Sequence, residues 1–297
     1  MTESRNSFVP LESVPNFSEG RDRRTIDAIA AALAARARLL DVHADADHNR
    51  SVFTVVGAEA ELADALVAAV AVAVERIDLR RHEGAHPRIG AADVVPLVPI
   101  RPEDMPRARA AAHVVGERIA GELGLPVFVY EPPVRGPAFY RRGGVETLAA
   151  RLAAGELAPD YGPPSLHRSA GGVILGARRP LIAFNVNLRG DLEAARAIAS
   201  VVRESGGGFP GVRALGLELP SAGLVQVSMN VEDWEAAALH EIVGRIRDEA
   251  SARGAEVAGS ELVGLMPAGA AATAAGAALG IDGFDESRLL ELRLLEP

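Results

Sequence analysis

Apolar residues in the first third of the chain recur with two spacings, about two residues in some segments and about 3.6 in others. The first spacing, in short β-branched segments, predicts strands, and the second, in longer segments, predicts helices. In chain order these are a strand at 8–16, a helix at 18–33, strands at 39–42 and 51–56, a helix at 59–77 and a strand at 93–99. The order of elements is therefore βαββαβ.

The same order returns in the second half of the chain, after a long connection. A helix at 104–123 and a strand at 127–130 lead into residues 131–179. That connection is rich in proline and glycine and contains one predicted helix at 145–154. Its length favours a functional role over that of a simple loop. The second series comprises a strand at 180–187, a helix at 191–205, strands at 213–219 and 223–230, a helix at 234–253 and a strand at 256–258.

Two βαββαβ series predict an α+β protein made of two tandem ferredoxin-like subdomains. The boundary falls where the second series begins, so the subdomains are residues 1–179 and 180–297. A crevice between two such units is the natural place for a ligand.

The composition narrows the classes of function. A net charge of -9 argues against nucleic acid as a partner, because binding to phosphates needs a basic surface. The absence of cysteine excludes disulfides and thiol nucleophiles, and the absence of lysine excludes Schiff-base chemistry. Met1 to Asn6 carry no secretory signal, and no apolar run reaches the roughly 18 residues of a membrane span. We expect a cytoplasmic protein that binds small molecules, and neither nucleic acid nor membrane.

The stretch from Arg80 to Asp93 concentrates the chemistry. It carries two histidines, His82 and His86, with three arginines and two carboxylates, and it is broken by glycine and proline. Imidazole titrates near neutral pH and arginine binds carboxylates through paired hydrogen bonds, so this loop suits proton transfer on an anionic substrate. The alternative is a surface loop with two solvated histidines.

A metal site is a further alternative. Histidine and aspartate side chains at 43–48 and 82–93 are suitable ligands for zinc or a harder cation. No spacing places two of them on one helical face, and aspartate-rich turns are common where strands end. We therefore expect no metal, while a metal-dependent amidohydrolase built on His43, Asp45, His82 and His86 stays open as an alternative.

Several segments, in the same order along the chain, resemble the formiminotransferase family. They are Val14–Gly20 (VPNFSEG), Asn49–Ser51, His82–Ala91 (HEGAHPRIGA), Ala158–Pro163 (APDYGP), Gly176–Arg178, Ile182–Asn187 (IAFNVN), Gln226–Asn230 and Leu262–Leu265. An ordered set of matches is far more specific than any one of them.

The resemblance implies transfer of the formimino group from N-formimino-L-glutamate to tetrahydrofolate, as in histidine degradation, by a homodimer of ferredoxin-like subdomains. It also implies a transferase without a cyclodeaminase domain, for which 297 residues leave no room. The family's catalytic histidine corresponds to His86. Its folate-contacting loop corresponds to Gly162, Pro163, Pro164, Ser165, Leu166, His167, Arg168, Ser169, Ala170 and Gly171.

The chemistry suits these residues. Attack of the folate N5 on the amidine carbon requires a base, and departure of the glutamate nitrogen requires an acid, which one imidazole supplies in turn. Arg88, with Arg50 as a second candidate, would bind substrate carboxylates through paired hydrogen bonds. The amides expected to bind the pterin or the formimino nitrogen are Asn16, Asn185 and Asn187. The alternatives are Asx turns for the asparagines and a structural salt bridge for Arg88.

Three positions depart from the vertebrate pattern of the family. His43 replaces an aspartate, so the carboxylate partner of the catalytic histidine would have to be Asp41, Asp45 or Asp93. Ala85 replaces a glutamate next to His86, and Ala170 replaces a tryptophan in the folate loop. These departures leave open a folate-binding module without activity. Other donors, namely formiminoglycine, N-formylglutamate or cyclising 5-formyltetrahydrofolate, also stay open.

Overall fold

A computed structural model of the protein describes residues 9–130 and 135–295. Residues 1–8, which include the start of the first predicted strand, and residues 131–134 of the connection lie outside the described residues. The chain divides into two compact units, Met1–Arg179 and Pro180–Pro297. Within the described residues no helix combines the length and apolar character needed to cross a bilayer.

The described part of the first unit consists of β1 (Leu11–Ser13), β2 (Asn16–Phe17), α1 (Arg23–Ala34), β3 (Arg38–Asp45), β4 (Arg50–Gly57), α2 (Glu59–Arg76), β5 (Ala92–Pro99), α3 (Met105–Leu123), β6 (Val127–Tyr130), α4 (Pro137–Arg141), α5 (Gly144–Ala153) and β7 (Val173–Ala177). Apart from β7 and α4, these elements occupy the predicted segments.

The first predicted strand is interrupted, so that β1 and β2 lie one after the other between β4 and β5. The break falls at Val14–Pro15, because proline has no N–H to donate to a neighbouring strand. The Pro15 carbonyl still accepts a hydrogen bond from the Phe53 N–H at 3.1 Å. The antiparallel part of the sheet has the order β3, β4, then β1 and β2 in line, then β5. Beyond β5 the sheet continues with β7 and β6, which run parallel to β5.

The sequence pattern missed β7, which lies inside the connection and pairs with β5 and β6. All of its residues are buried, so it shows no alternation of polar and apolar positions. Gly171 and Gly172, directly before β7, favoured a loop in this segment. Within β7, position 176 requires glycine because a Cβ there would lie 2.5 Å from the Tyr130 carbonyl oxygen.

Two apolar clusters hold the first unit together. Helices α1, α2 and α3 pack on the sheet through one cluster that includes Phe17 and Phe53. A separate cluster anchors α4 and α5, with Tyr140 fully buried and its ring 5.3 Å from that of Phe128. Tyr140 also donates a hydrogen bond to the Val129 carbonyl at 2.9 Å. The cluster therefore fixes α4, whose last residue is Arg141.

The second unit consists of β8 (Ile182–Arg189), α6 (Leu192–Val202), β9 (Val212–Leu219), β10 (Leu224–Val231), α7 (Leu239–Ala252), β11 (Glu256–Val263), α8 (Ala268–Leu279) and α9 (Leu290–Leu295). Its sheet is antiparallel in the order β11, β8, β10, β9. The helix predicted from 234 begins five positions later, at Leu239, and the last strand runs beyond its predicted end at 258. Helices α6 and α7 pack through a single apolar cluster.

Candidate active site

The loop that carries His86 is joined by backbone hydrogen bonds to the loop predicted to contact folate. The Leu79 N–H donates to Ser169 O at 2.8 Å, and the Ala91 N–H donates to Ala170 O at 2.9 Å. The Gly172 N–H donates to the carbonyl of Ile89 at 3.0 Å. Two segments about 80 positions apart in sequence therefore form one surface of the first unit.

Two further segments converge on the same loop. The Ser18 hydroxyl donates to the Gly90 carbonyl at 2.7 Å. Asn49 accepts a hydrogen bond from the Gly20 N–H and donates one to the Glu83 carbonyl, both at 2.9 Å. Asn49 adopts a left-handed backbone with φ of 46°, a conformation that asparagine tolerates better than most residues. Three of the segments that carry the resemblance, Val14–Gly20, Asn49–Ser51 and His82–Ala91, thus meet at the loop of His86.

His86 is half-buried and makes its polar contacts through one ring nitrogen. Its Nδ1 lies 2.7 Å from Arg50 Nη1 and also 2.7 Å from the Pro87 carbonyl oxygen. Arginine only donates and a carbonyl only accepts, so the two contacts belong to different tautomers. When Nδ1 donates to Pro87, Nε2 carries the lone pair. Nε2 has no hydrogen-bond partner among the residues that the structure describes.

The surroundings of His86 favour the neutral imidazole. Burial, followed by the positive charges of Arg50 and Arg141, holds the pKa of His86 well below its usual value of 6.5. The ring is therefore an unprotonated base at neutral pH.

We expect a direct titration to show this depression. NMR of the Cε1–H signal of His86, assigned by comparison with the H86A variant, should give a midpoint clearly below 6.5. Well above pH 6.5 the ring is neutral in both the folded and the unfolded protein, so it has no effect on stability. Below pH 6.5 the unfolded chain binds the proton more readily than the folded protein. The ring therefore destabilises the fold progressively as the pH falls below 6.5 towards the folded pKa. A midpoint at or above 6.5 would contradict the assignment.

Asp93 organises the charges beside His86. Its side chain is buried, and Oδ1 accepts the Ile89 N–H at 2.8 Å. Its Oδ2 accepts hydrogen bonds from Arg141 Nη2 and, at 3.4 Å, from Arg50 Nη1. Arg141 was missed at the sequence level because it lies on α4, a helix that the pattern did not predict, and no local spacing relates it to Asp93.

Arg50 is held on its other side by Asn16. The Asn16 amide oxygen accepts from Arg50 Nε at 3.0 Å and from Nη2. Burial, followed by repulsion from Arg141, lowers the pKa of Arg50 to about 9, which still leaves it charged at neutral pH. Asn16 and Arg50, two of the five predicted substrate-binding residues, therefore lie next to His86, with Asn16 aligning Arg50.

Arg88 joins two loops. Its guanidinium donates to the carbonyls of His48, Asn49 and His86 at 2.8 to 3.1 Å. Its Nη1 also lies 2.8 Å from both ring nitrogens of His82. Through these contacts Arg88 holds the His86 loop against residues 48 and 49. Its predicted contact with a substrate carboxylate stays a prediction.

The loop predicted to contact folate closes on itself. His167 and Gly171 exchange backbone hydrogen bonds at 2.8 and 2.9 Å, and His167 Nδ1 accepts the Ala170 N–H at 3.1 Å. Gly171 has φ of 69°, and a Cβ there would lie 2.0 Å from the Ile89 carbonyl oxygen. Ala170 packs in the hydrophobic core, whereas the exposed part of the loop consists of Gly162, Pro164, Ser165 and Arg168.

Asn185 and Asn187 lie in the second unit, on β8. Asn185 donates to Glu261 at 3.0 Å, and Asn187 accepts from Gln226 at 2.9 Å. Asn185 lies opposite Glu261 on β11 and Asn187 lies opposite Gln226 on β10, in neighbouring rows on one face of the sheet. Their role towards a ligand stays a prediction.

The departures from the family pattern can be located. His43 pairs with Val52 across β3 and β4, and Val52 pairs with Asn16, so His43 shares the sheet face of Asn16. In the described residues no carboxylate hydrogen-bonds to the His86 ring, and Asp93 acts on it through Arg50. The amidohydrolase alternative requires a group of three side chains that could hold a metal ion. The described residues contain no such group.

The chain matches sequence models of one protein family over most of its length. Residues 10–178 match the model described as "Formiminotransferase domain, N-terminal subdomain". Residues 183–279 match the model described as "Formiminotransferase domain".

Named relatives are similar over most of the chain. A "Glutamate formimidoyltransferase" of Streptococcus pyogenes serotype M1 is 40% identical over 96% of this chain and 98% of its own length. The protein of the same name from Thermoplasma acidophilum is 38% identical over 96% of this chain and 97% of its own length. The "Formimidoyltransferase-cyclodeaminase" of Rattus norvegicus is 40% identical over 86% of this chain and 50% of its own length.

Proposed function

The chain belongs to the formiminotransferase family, and from this premise we propose that it transfers the formimino group of N-formimino-L-glutamate to tetrahydrofolate. The products are 5-formiminotetrahydrofolate and glutamate, as in histidine degradation. The protein is accordingly a one-carbon group transferase.

His86 is the proposed catalytic residue. Folate N5 attacks the amidine carbon, and His86 Nε2 takes the N5 proton while Nδ1–H donates to the Pro87 carbonyl. In the tetrahedral intermediate the carbon is bonded to N5, to the glutamate nitrogen and to the formimino nitrogen. The imidazolium then returns the proton to the glutamate nitrogen as the bond between that nitrogen and the carbon breaks. A single imidazole thus takes up the proton of the attacking nitrogen and gives it to the leaving nitrogen.

The other proposed roles follow from charge and position. Arg50 and Arg88 contribute positive charge for the donor carboxylates, and Asn16 fixes Arg50. The loop 162–171 contacts tetrahydrofolate as co-substrate, and no metal takes part. Asn185 and Asn187 bind the pterin or the formimino nitrogen.

Each unit is proposed to have a ferredoxin-like fold. The support is the strand order in which the first and last strands of each βαββαβ series are neighbours: β1 with β5, and β8 with β11. The predicted homodimer, the ligand crevice and the cytoplasmic location remain predictions.

One observation carries the proposed function. A neutral imidazole with an open Nε2 lies on a loop that is hydrogen-bonded through its backbone to the loop assigned to folate. The proposed base and the loop proposed to bind tetrahydrofolate are therefore neighbours in the first unit, which supports the proposal.

The test is turnover of N-formimino-L-glutamate with tetrahydrofolate by the purified chain. Glutamate and 5-formiminotetrahydrofolate should form in equal amounts, with a rate unchanged by a chelator. Parallel reactions with formiminoglycine, N-formylglutamate and 5-formyltetrahydrofolate should be much slower. Absence of reaction with formiminoglutamate, or a faster reaction with another donor, would refute the assignment.

A further inference from the structure

Arg141 is a charged side chain at the site whose hydrogen-bonding capacity is largely unused. It donates to Asp93 through Nη2, and its side chain is only 14% exposed. Its Nε is buried and has no hydrogen-bond partner within residues 9–130 and 135–295. A buried donor without an acceptor costs free energy, so a ligand that supplies the acceptor is favoured at this position.

The charges around Asp93 do not balance. Arg50, Arg88 and Arg141 contribute three positive charges against the single negative charge of Asp93, while His86 is neutral. This part of the site is therefore cationic, in a chain whose net charge is -9. Arg88 directs its donors to backbone carbonyls, and Arg50 directs its donors to Asn16 and Asp93. Arg141 is the arginine of this group with the most donors left for an anion.

Arg141 is also rigidly placed. It ends α4, which is anchored by the buried ring of Tyr140 next to it in sequence. Asp93, which aligns the guanidinium, is itself fixed by the Ile89 N–H. A guanidinium held in this way presents a planar pair of donors, the arrangement that carboxylates match.

We propose that Arg141 binds the side-chain carboxylate of the glutamyl donor and makes the enzyme selective for dicarboxylate donors over those with one carboxylate. This proposal rests on the proposed function and deepens it. Arg50, which lies directly against His86, is then the partner for the other carboxylate. An analogue with a neutral amide in place of the carboxylate offers Arg141 one carbonyl acceptor and no negative charge, so it binds less tightly.

The experiment compares L-glutamate, the product, with L-glutamine as inhibitors of the transferase reaction. Glutamine keeps the shape of glutamate but has an amide in place of the side-chain carboxylate. The wild type should bind glutamate more tightly than glutamine by roughly 10- to 100-fold, the effect of one charged hydrogen-bonded pair. In R141Q this preference should largely disappear, with KM for formiminoglutamate raised and KM for tetrahydrofolate unchanged.

Arg142 supplies the matched control, because it is the next residue in the chain and is exposed. R142Q should keep the wild-type preference for glutamate. R141K keeps a positive charge for Asp93 but lacks the planar pair of donors, so it should fold and still lose most of the preference.

Equal weakening of glutamate and glutamine binding in R141Q and R141K would assign Arg141 a structural role and overturn the proposal. An unchanged preference in R141K would also overturn it. These results differ from failure of the proposed function, in which the wild type would not turn over formiminoglutamate at all.

Discussion

Replacement of His86 by alanine should lower kcat by roughly 10² to 10⁴-fold, the usual contribution of a general acid–base residue, with little change in KM. The variant removes both the acceptor for the N5 proton and the donor to the leaving nitrogen. Arg50 and Asp93, which supply charge and alignment, stay in place because their mutual contact at 3.4 Å does not involve His86. The H86A variant should therefore still bind its substrates although it has lost most of its catalytic rate.

The measurement is steady-state turnover of formiminoglutamate and tetrahydrofolate by the wild type and H86A. His240 offers a control, because it is an exposed histidine on α7 in the second unit. H240A should retain full activity. Thermal unfolding of H86A near the wild-type midpoint would show that the loss is chemical. An H86A rate within a few-fold of the wild type would exclude His86 as the proton carrier.

Replacement of Asp93 by asparagine should destabilise the fold by about 3 kcal/mol and abolish most activity. Asparagine can still accept the Ile89 N–H, so the variant isolates the loss of charge. Arg50 and Arg141, only 16% and 14% exposed, would be left without their counterion. Their partial exposure to water places the expected cost at the lower end of the range for breaking a buried ion pair.

Urea unfolding of D93N and the wild type measures this cost. Asp27 provides the comparison, because its ion pair with Arg23 is exposed, with the two side chains 67% and 70% accessible. D27N should be close to the wild type in stability. If D93N and D27N unfold at the same urea concentration as the wild type, then Asp93 does not balance the buried arginines.

The predicted order of elements in both units agrees with the structure because strand and helix periods are local properties of the chain. The segment 93–99 needed only its apolar run to be identified as β5. The same local reasoning failed at β7, whose uniform burial and Gly176 remove any periodic signal. It also placed the start of α7 too early, at 234 instead of Leu239.

By itself the sequence determined the βαββαβ order, the family and the loop that carries His86, because each rests on local periods or short motifs that follow one another along the chain. The tertiary structure alone decided which charges surround that imidazole. Arg50 lies 36 positions from His86, and Arg141 lies 48 positions from Asp93, yet both pairs lie within hydrogen-bond distance. No local period encodes such contacts, and the low pKa of His86 results from burial of the ring together with these charges.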